Sequence, residues 1–522
     1  MSSPARPTTW RALTHAGRSP ILSVGGAETA AAEVPGMGAR TGQQFLDGLR
    51  KTRRQLWLGE ERVEDVTTHP ALAGAARTLA EVFDRQHRFA DECLVPDPGT
   101  GELVNISHAF PRSAADLGRR NRGLARIAEA TVGLMGRTPD YMNVKFASFA
   151  SRPSFWAGPD QRNAGGADNL VRFQRRLARD DVSLTHTIIQ PTVDRATDAT
   201  LAGNRVALHK VGDTAGGIVV RGAKVLATLA PFADELVVYP ALPLSPGAEA
   251  HALAFAVAVD TPGLVFLCRD SAAAPGAHPF DRPLSSRFDE QDAVVIFDDV
   301  EIARERVFLD GDLEIHNGIG RSGIRDNMTN QSTVRALTKL EFAYGLATRM
   351  AEAINDQSPA TLEMLGELSS YVEVTRSAVL LSAEHGRDVG NGVWFPDGRP
   401  LHPMRSLLAT WFPRVNEIIT LIGSHNLLAT PTRAQLDHPA LRPLLDEFLG
   451  GANGVDAERR AALFRLAWDF VGSGLGGRNV LYERFYLTSA SRNRINTHLN
   501  HVDRARAYEL VDLVLAAGRS AR

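Results

Sequence analysis

The hydrophobic period of this chain switches twice along its length, and those two switches restrict the fold more than any single motif. From about residue 41 to 150 apolar positions recur at helical spacing, broken by a polar, turn-rich stretch at residues 96–102 (PDPGTGE). Ser113 followed by Asp116 resembles a capping box, and it opens a helix whose face carries Leu117, Leu124, Ile127, Ala128, Thr131 and Leu134. That helix is expected to run into residues 135–141 (MGRTPDY) and to end at the Gly and Pro there, leaving Arg137 and Tyr141 at a helix end facing a loop. In the middle third, residues 217–229, 235–239, 252–259, 264–268 and 293–297 are short, rich in β-branched residues and bounded by Gly, Pro or Asp, which reads as a sheet or a small barrel. From about Ser332 onward long amphipathic helices return, with Leu362, Leu365, Leu368, Val372, Thr375 and Val379 as one stripe.

Blocks segregated in this way imply an α+β fold and argue against a doubly wound sheet. The middle block also has no G-x-G-x-x-G turn between a strand and a helix, so no dinucleotide-binding half is visible. The expected organisation is a poorly ordered leader over 1–40, an N-terminal helical domain over 41–180, a central β domain over 181–315, and a C-terminal helical bundle over 316–522. The tail at residues 501–517 (HVDRARAYELVDLVLAA) is helical and amphipathic, suited to docking on a second copy in a dimer or tetramer.

Charge and cysteine usage narrow the class of partner. With 58 basic against 60 acidic residues in 522, the net charge of -2 gives no overall electrostatic footprint for nucleic acid or an anionic membrane, so a small molecule is the expected partner. No run approaches the ~18 apolar residues of a membrane span, and the apolar run at 21–24, near Arg6, Arg11 and Arg18, is too short for a signal peptide. Cys93 and Cys268 lie far apart, which excludes a disulfide framework and a cysteine metal cluster and fits a reducing, cytoplasmic compartment.

Seven segments, in order, carry a family resemblance: 65–70 (DVTTHP), 136–141 (GRTPDY), 186–195 (HTIIQPTVDR), 222–228 (GAKVLAT), 283–290 (PLSSRFDE), 451–456 (GANGVD) and 472–483 (GSGLGGRNVLYE). Together the chain from Thr41 to about Tyr486 resembles the large, oxygenase component of the two-component 4-hydroxyphenylacetate 3-hydroxylase family. The resemblance implies an acyl-CoA dehydrogenase-like architecture with flavin between the β domain and the bundle. It also implies reduced FAD supplied by a separate NAD(P)H-dependent reductase, addition of dioxygen at the flavin C4a carbon to give a hydroperoxide, and hydroxylation of a phenol ortho to its oxygen.

The family's Arg and Tyr of the G-R-S/T-P-D-Y motif, and the His that opens its HAI-type motif, surround the phenolic oxygen; here these fall on Arg137, Tyr141 and His186. The chemistry is sound from the side chains alone. A phenol, with a pKa of about 10, is mostly neutral near pH 7, whereas an electron-rich ring is needed to attack electrophilic oxygen; a guanidinium favours phenolate and a neutral imidazole accepts a proton. Taken singly, Arg-x-x-x-Tyr at a helix end is usually an exposed polar pair, and a histidine before two apolar residues is usually a core histidine. For the flavin, the resemblance implies the run His186, Thr187, Ile188, Gln190, Thr192, Val193, Asp194 and Arg195, then Thr228, then Gly476, Gly477, Arg478, Tyr482 and Glu483. Glycines let backbone N–H groups approach a pyrophosphate and an arginine binds it bidentately; the bland reading is that Gly476 and Gly477 stop a helix.

Departures from the family pattern concern the substrate. Residues 158–168 (GPDQRNAGGAD) form a longer polar stretch than is typical, Leu184 and Thr185 precede His186 where an aromatic residue and Asn are common, and residues 429–432 (ATPT) replace Leu-Pro-Ser-Ser. The 242–249 loop (LPLSPGAE) occupies the region that covers substrate in relatives. A halophenol, a tyrosine derivative or a carrier-bound aryl group is as open as hydroxyphenylacetate. Three rivals stand beside this reading: a true acyl-CoA dehydrogenase, the related 4-hydroxybutyryl-CoA dehydratase, whose iron–sulfur cluster two scattered cysteines cannot hold, and a catalytically silent flavin-binding protein.

Overall fold

The computed structural model describes residues 38–193, 200, 205–272, 276–500 and 503–520. The expected leader therefore lies almost wholly outside the described residues, as do Asp194, Arg195 and the first two residues of the C-terminal tail.

Seven helices occupy the N-terminal block: α1 (Gly42–Lys51), α2 (Ala73–Arg88), α3 (Ala90–Cys93), α4 (Ala114–Glu129), α5 (Pro139–Ala150), α6 (Pro153–Ala157) and α7 (Ala164–Asp180). Strands also form there: β1 (Gln55–Leu58) and β2 (Glu61–Arg62), and the separate hairpin of β3 (Leu94–Pro96) with β4 (Leu103–Asn105). Ser113 caps α4 by accepting from the Asp116 backbone at 3.1 Å, but the Asp116 carboxylate turns to the Arg112 backbone at 2.8 Å, so only half of the expected capping box forms.

The expected end of α4 is corrected by the structure. The helix stops at Glu129, where Val132 (φ 46) and Gly133 (φ 71) turn left-handed. A Cβ on Gly133 would stand 2.6 Å from the Arg335 carbonyl, so the close approach of chain segments requires glycine there. Pro139 does not end a helix but opens α5, because its fixed φ and missing N–H suit a first turn. Arg137 thus lies on a connector, and Tyr141 in the first turn of α5.

The central sheet continues with β5 (Leu184–His186), β6 (His209–Asp213), β7 (Gly217–Thr228), β8 (Glu235–Val238), β9 (Leu253–Ala258), β10 (Leu264–Cys268), β11 (Asp292–Ala303) and β12 (Val307–Asp310). Its order is β12-β9-β8-β5-β7-β11-β10-β1-β2, with β6 paired to β7, so among the described residues it is an open sheet and the barrel alternative is not realised. The N-terminal block feeds β1 into it, parallel to β10 and anchored by buried Leu56. Register shifts and a left-handed Leu226 (φ 63) bend β7, which runs along β11 to its end, where Thr228 pairs with Asp292 on one side and His186 on the other.

After α8 (Leu313–Asn317) the bundle follows: α9 (Ile324–Ala353), α10 (Pro359–Glu384), the small pair β13 (Arg387–Asp388) and β14 (Trp394–Phe395), α11 (Gly398–Gly423), α12 (Arg433–Asp437), α13 (Arg442–Phe448), α14 (Ala457–Val471), α15 (Gly474–Phe485), α16 (Ala490–Leu499) and α17 (Arg504–Ser520). The sheet's inner face packs on α2 and on α9, α11 and α14 in one large apolar core that includes Phe255, Phe266, Phe297, Leu340 and Ile418. Buried Asp469 on α14 joins sheet side and bundle by accepting from the Leu284 and Ser285 backbones at 2.7 and 2.8 Å. All twelve residues of α5 are buried, and two of its polar side chains are tied to neighbouring segments: Gln331 donates to Asp140 at 2.8 Å and Asn143 donates to Ser107 at 3.1 Å. A helix buried on every side and tied in this way is a rigid mount for the residues at its start.

Candidate active site

Tyr141 and Lys145, four residues apart, share one face of α5, and Arg137, four residues earlier on the connector, lies against the Tyr141 ring. The Arg137 guanidinium lies 4.1 Å from the centre of the Tyr141 ring, and Lys145 donates to the Tyr141 hydroxyl at 3.2 Å and to the Tyr239 hydroxyl. His186, held at the end of β5 by pairing with both β7 and β8, sits between Tyr141 and Tyr239 with 5.6 Å between ring centres on each side. The structure therefore brings together the three residues expected to surround the phenolic oxygen and adds Lys145 and Tyr239.

Electrostatics fix the protonation states. Burial, with the Lys145 and Arg137 charges behind it, holds the His186 imidazole well below its usual pKa, so the ring is neutral, and its Nδ1 is buried without a hydrogen-bond partner. Burial opposes ionisation of Tyr141, but Arg137 and Lys145 outweigh it and bring the phenol below its ordinary value. Tyr239 moves the other way, raised by burial and by the neighbouring Tyr141. Burial lowers Lys145 too, against the pull of Tyr141. Burial also works against the charge on Arg137, but Tyr141, Tyr482 and Glu290 more than restore it.

A second network places Arg137. The Glu290 carboxylate accepts from the backbone N–H groups of Gly136 at 3.1 Å and Arg137 at 2.9 Å, and from Arg478 at 2.6 Å. Arg478 reaches Asp292 at 3.0 and 2.9 Å, and Asp292 accepts from Thr228 at 2.6 Å. Burial would raise Asp292, yet Arg478 and Arg269 hold it below the usual carboxylate range. The Arg137 guanidinium donates to the Tyr482 hydroxyl, and Tyr482 stacks on Tyr486 at 4.5 Å. Glu483 is buried and pushed down to about 2, the guanidinium of Arg335 (2.8 and 3.1 Å) and Lys339 (3.0 Å) outweighing burial.

The residues expected at the flavin divide accordingly. Thr228, Arg478, Tyr482 and Glu483 join this polar seam between sheet and bundle. Thr187 donates to the Val225 carbonyl at 3.0 Å, the Ile188 carbonyl accepts from Lys224 at 3.2 Å, and Gln190 accepts from the Leu208 backbone at 3.3 Å, while Thr192 and Val193 stand exposed. Gly476 and Gly477 do not stop a helix: they form the first turn of α15 behind the Ser473 cap, where a Cβ on Gly476 would meet the Phe470 carbonyl at 2.8 Å. The guanidinium of Arg478 is engaged by two carboxylates and is not free for a pyrophosphate.

The 242–249 loop is tied down by Asn317, which exchanges hydrogen bonds with the Leu244 backbone at 2.8 and 2.9 Å, and by His316 to the Leu242 carbonyl at 3.1 Å. Beneath it lies a cavity of about 40 Å³ lined by Ile188, Lys224, Tyr239, Leu242 and His316. The long 158–168 stretch is spent on a short turn at Pro159–Gln161 and the first turn of α7.

Comparison with known proteins places this geometry. Residues 41–309 match the family model described as 4-hydroxyphenylacetate 3-hydroxylase N terminal, and residues 317–516 match its C-terminal counterpart. The chain is 37% identical over 451 residues to the 4-hydroxyphenylacetate 3-monooxygenase oxygenase component of Thermus thermophilus, covering 86% of this chain and 92% of that one. It is 31% identical over 496 residues to a (3S)-3-amino-3-(3-chloro-4-hydroxyphenyl)propanoyl-[peptidyl-carrier protein] monooxygenase of Streptomyces globisporus, covering 93% and 92%. A crystal structure of a 4-hydroxyphenylacetate 3-monooxygenase oxygenase component complexed with FAD and 4-hydroxyphenylacetate superposes with a TM-score of 0.86 at 34% identity, covering 93% of this chain and all of that one. An archaeal 4-hydroxybutyryl-CoA dehydratase shares the fold, with a TM-score of 0.83 at 18% identity.

The placement of Lys145 has a direct consequence. Its charge favours the Tyr141 phenolate, so Lys145→Met moves the Tyr141 titration upward, towards the ordinary tyrosine value. Ultraviolet difference titration, with Tyr141→Phe as the blank, reads this; an unchanged titration in Lys145→Met contradicts the assignment.

Proposed function

The chain belongs to the 4-hydroxyphenylacetate 3-hydroxylase family, and we infer that it is the oxygenase component of a flavin-dependent aromatic monooxygenase with FAD as its cofactor. The observation that carries this reading is the convergence of two buried cations, Arg137 and Lys145, on a buried aromatic wall made of Tyr141, Tyr239 and a neutral His186. A phenol whose oxygen faces that wall meets a field that favours phenolate, as Tyr141 itself does. Electron density at the ortho carbon then rises, which is what attack on electrophilic oxygen requires. His186 stays neutral and serves as a hydrogen-bonding partner, since burial, with the Lys145 and Arg137 charges, opposes an imidazolium.

The residues present fit a flavin between sheet and bundle. Thr228 and Asp292 from the sheet meet Arg478 and Tyr482 from α15 along one seam, and the unpartnered Nδ1 of His186 lies within the same buried region. When bound, reduced FAD supplies the dioxygen chemistry. The protein orients the phenol, keeps the cations dry and, through Glu290, fixes the backbone at Arg137. Arg478 acts here by holding Glu290 and Asp292. Thr187, Ile188, Gln190, Thr192, Val193, Asp194, Arg195, Gly476 and Gly477 remain assigned to the flavin through the family resemblance, and Glu483 acts as the anchor of Arg335 and Lys339.

Reducing equivalents come from a separate reductase, and the substrate is a phenol, free or carrier-bound. Among the described residues no helix is long and apolar enough to cross a membrane; the cytoplasm is the proposed compartment. A homo-oligomer is supported by α17, which leaves Tyr508, Val511, Val514 and Leu515 exposed, and by exposed Leu481, Phe485 and Ile495 on α15 and α16.

With a flavin reductase, NADH, FAD and a panel of phenols, the protein is expected to form catechols. Arg137→Ala and His186→Ala are expected to lower that rate by roughly 10²–10⁴-fold while reduced FAD still binds. Hydrogen peroxide as sole product from every phenol would support the silent-binder reading, and bleaching of bound FAD by an acyl-CoA without reductase the dehydrogenase reading. Light scattering is expected to give a multiple of 56.5 kDa; a monomer mass contradicts the oligomer.

A further inference from the structure

Away from the flavin seam, the β3–β4 hairpin, the start of α4 and the end of α7 enclose a cleft of about 1,020 Å³. Arg112, Arg119 and Arg120 reach it from the α4 side, and Arg172, Arg175, Arg176 and Arg179 from α7. Only Arg176, with Glu235, and Arg179, with Asp180, have a carboxylate partner among the described residues. Arg112, Arg119 and Arg120 donate to neutral oxygens of Asn391, Leu94 and Asn327, and Arg172 to that of Asn169. Arg175 has no partner among the described residues. The lining holds two carboxylates against these seven arginines, and neither pairs with a guanidinium among the described residues: Asp97 accepts from the backbone of Gly99 and Thr100, and Asp116 from that of Arg112.

The depth of the cleft holds polar groups without partners. Arg120 is 2% exposed with its Nε unpartnered, and His108 is 2% exposed with both ring nitrogens unpartnered. The nearest charge to His108 is Asp181, 4.0 Å away. Val104, Ile106 and Phe110 supply apolar lining between them. In a chain of net charge -2, five guanidiniums without carboxylate partners around one concavity are a local concentration that a low-dielectric wall strengthens. Guanidinium forks match phosphate oxygens bidentately, and a phosphate's charge of about -1.5 to -2 answers such a cluster better than a single carboxylate does.

We propose that this cleft binds a phosphate-bearing ligand with an apolar body, either a free nucleotide or a phosphopantetheine arm. It is separate from the phenol site. Asn143, which donates to Ser107 beside His108, and Tyr141 are two residues apart on α5 and so project from opposite sides of that helix. The proposal goes beyond the monooxygenase reading and does not depend on it.

Calorimetric titration of the full chain, loaded with one equivalent of FAD, with inorganic pyrophosphate, ADP and phosphopantetheine tests it. Saturable binding at one further site per chain is expected. The exposed double variant Arg172→Ala/Arg175→Ala weakens it at least tenfold and Arg175→Glu weakens it further, while phenol hydroxylation without added ligand is unchanged in both. Tighter binding of ADP than of pyrophosphate identifies a free nucleotide, and tighter binding of phosphopantetheine identifies the arm. No saturable binding, binding indifferent to these substitutions, or an organic ligand no tighter than pyrophosphate overturns the proposal.

Discussion

The carboxylate of Glu290 is the contact on which the site depends. One side chain accepts from the backbone of Gly136 and Arg137 and from Arg478, so the connector ahead of α5, the edge of β11 and the first turns of α15 are fixed relative to one another. The next strand residue inward, Asp292, repeats the link to Arg478 and extends it to Thr228, whose strand position pairs with His186. Each hydrogen bond here is charge-assisted and buried, which makes it both strong and costly to break. The seam is therefore stiff in the direction that matters, the separation of the Arg137 guanidinium from the His186 ring.

That stiffness allows an arrangement that would otherwise relax. Arg137, on the connector ahead of α5, and Lys145, on α5, are both buried with phenols rather than carboxylates as their nearest acidic partners. A carboxylate in that position would neutralise the cations and leave little for a substrate. Phenols are weak acids, so the field stays available, and its effect is visible on Tyr141, which is lowered, and on His186, which stays neutral. Where carboxylates do meet buried cations, Glu483 with Arg335 and Lys339 anchors the bundle, and Glu290 and Asp292 with Arg478 hold the seam.

Much of this was legible in the sequence, for identifiable reasons. The order of helical and β blocks reflects local periodicity, and Arg137, Tyr141 and His186 stand in segments that a family resemblance marks. Lys145 carries a signal that reading by motif passes over. It is four residues beyond Tyr141, and it is one of only five lysines in a chain with 53 arginines, three of which (Lys145, Lys224, Lys339) prove to be buried. Tyr239, Glu290 and Asp292 could not be placed by spacing, because strand pairing brings them in from separate parts of the chain. Helix ends were the weakest inference. Gly136 and Pro139 read as a stop when Val132 and Gly133 had already stopped the helix and Pro139 was starting the next, and Gly476 and Gly477 likewise open a helix. The arginine cleft escaped notice because whole-chain charge averages it away.

The central claim is that the buried cations hold a bound phenol as its phenolate. It is tested most directly by binding 4-nitrophenol, whose colour reports ionisation, and measuring its pKa on the protein against that in buffer. The account predicts a lowered pKa on the protein that moves back toward the free value in Arg137→Met. A pKa unchanged on binding, or a shift undiminished by removal of the guanidinium, would contradict it.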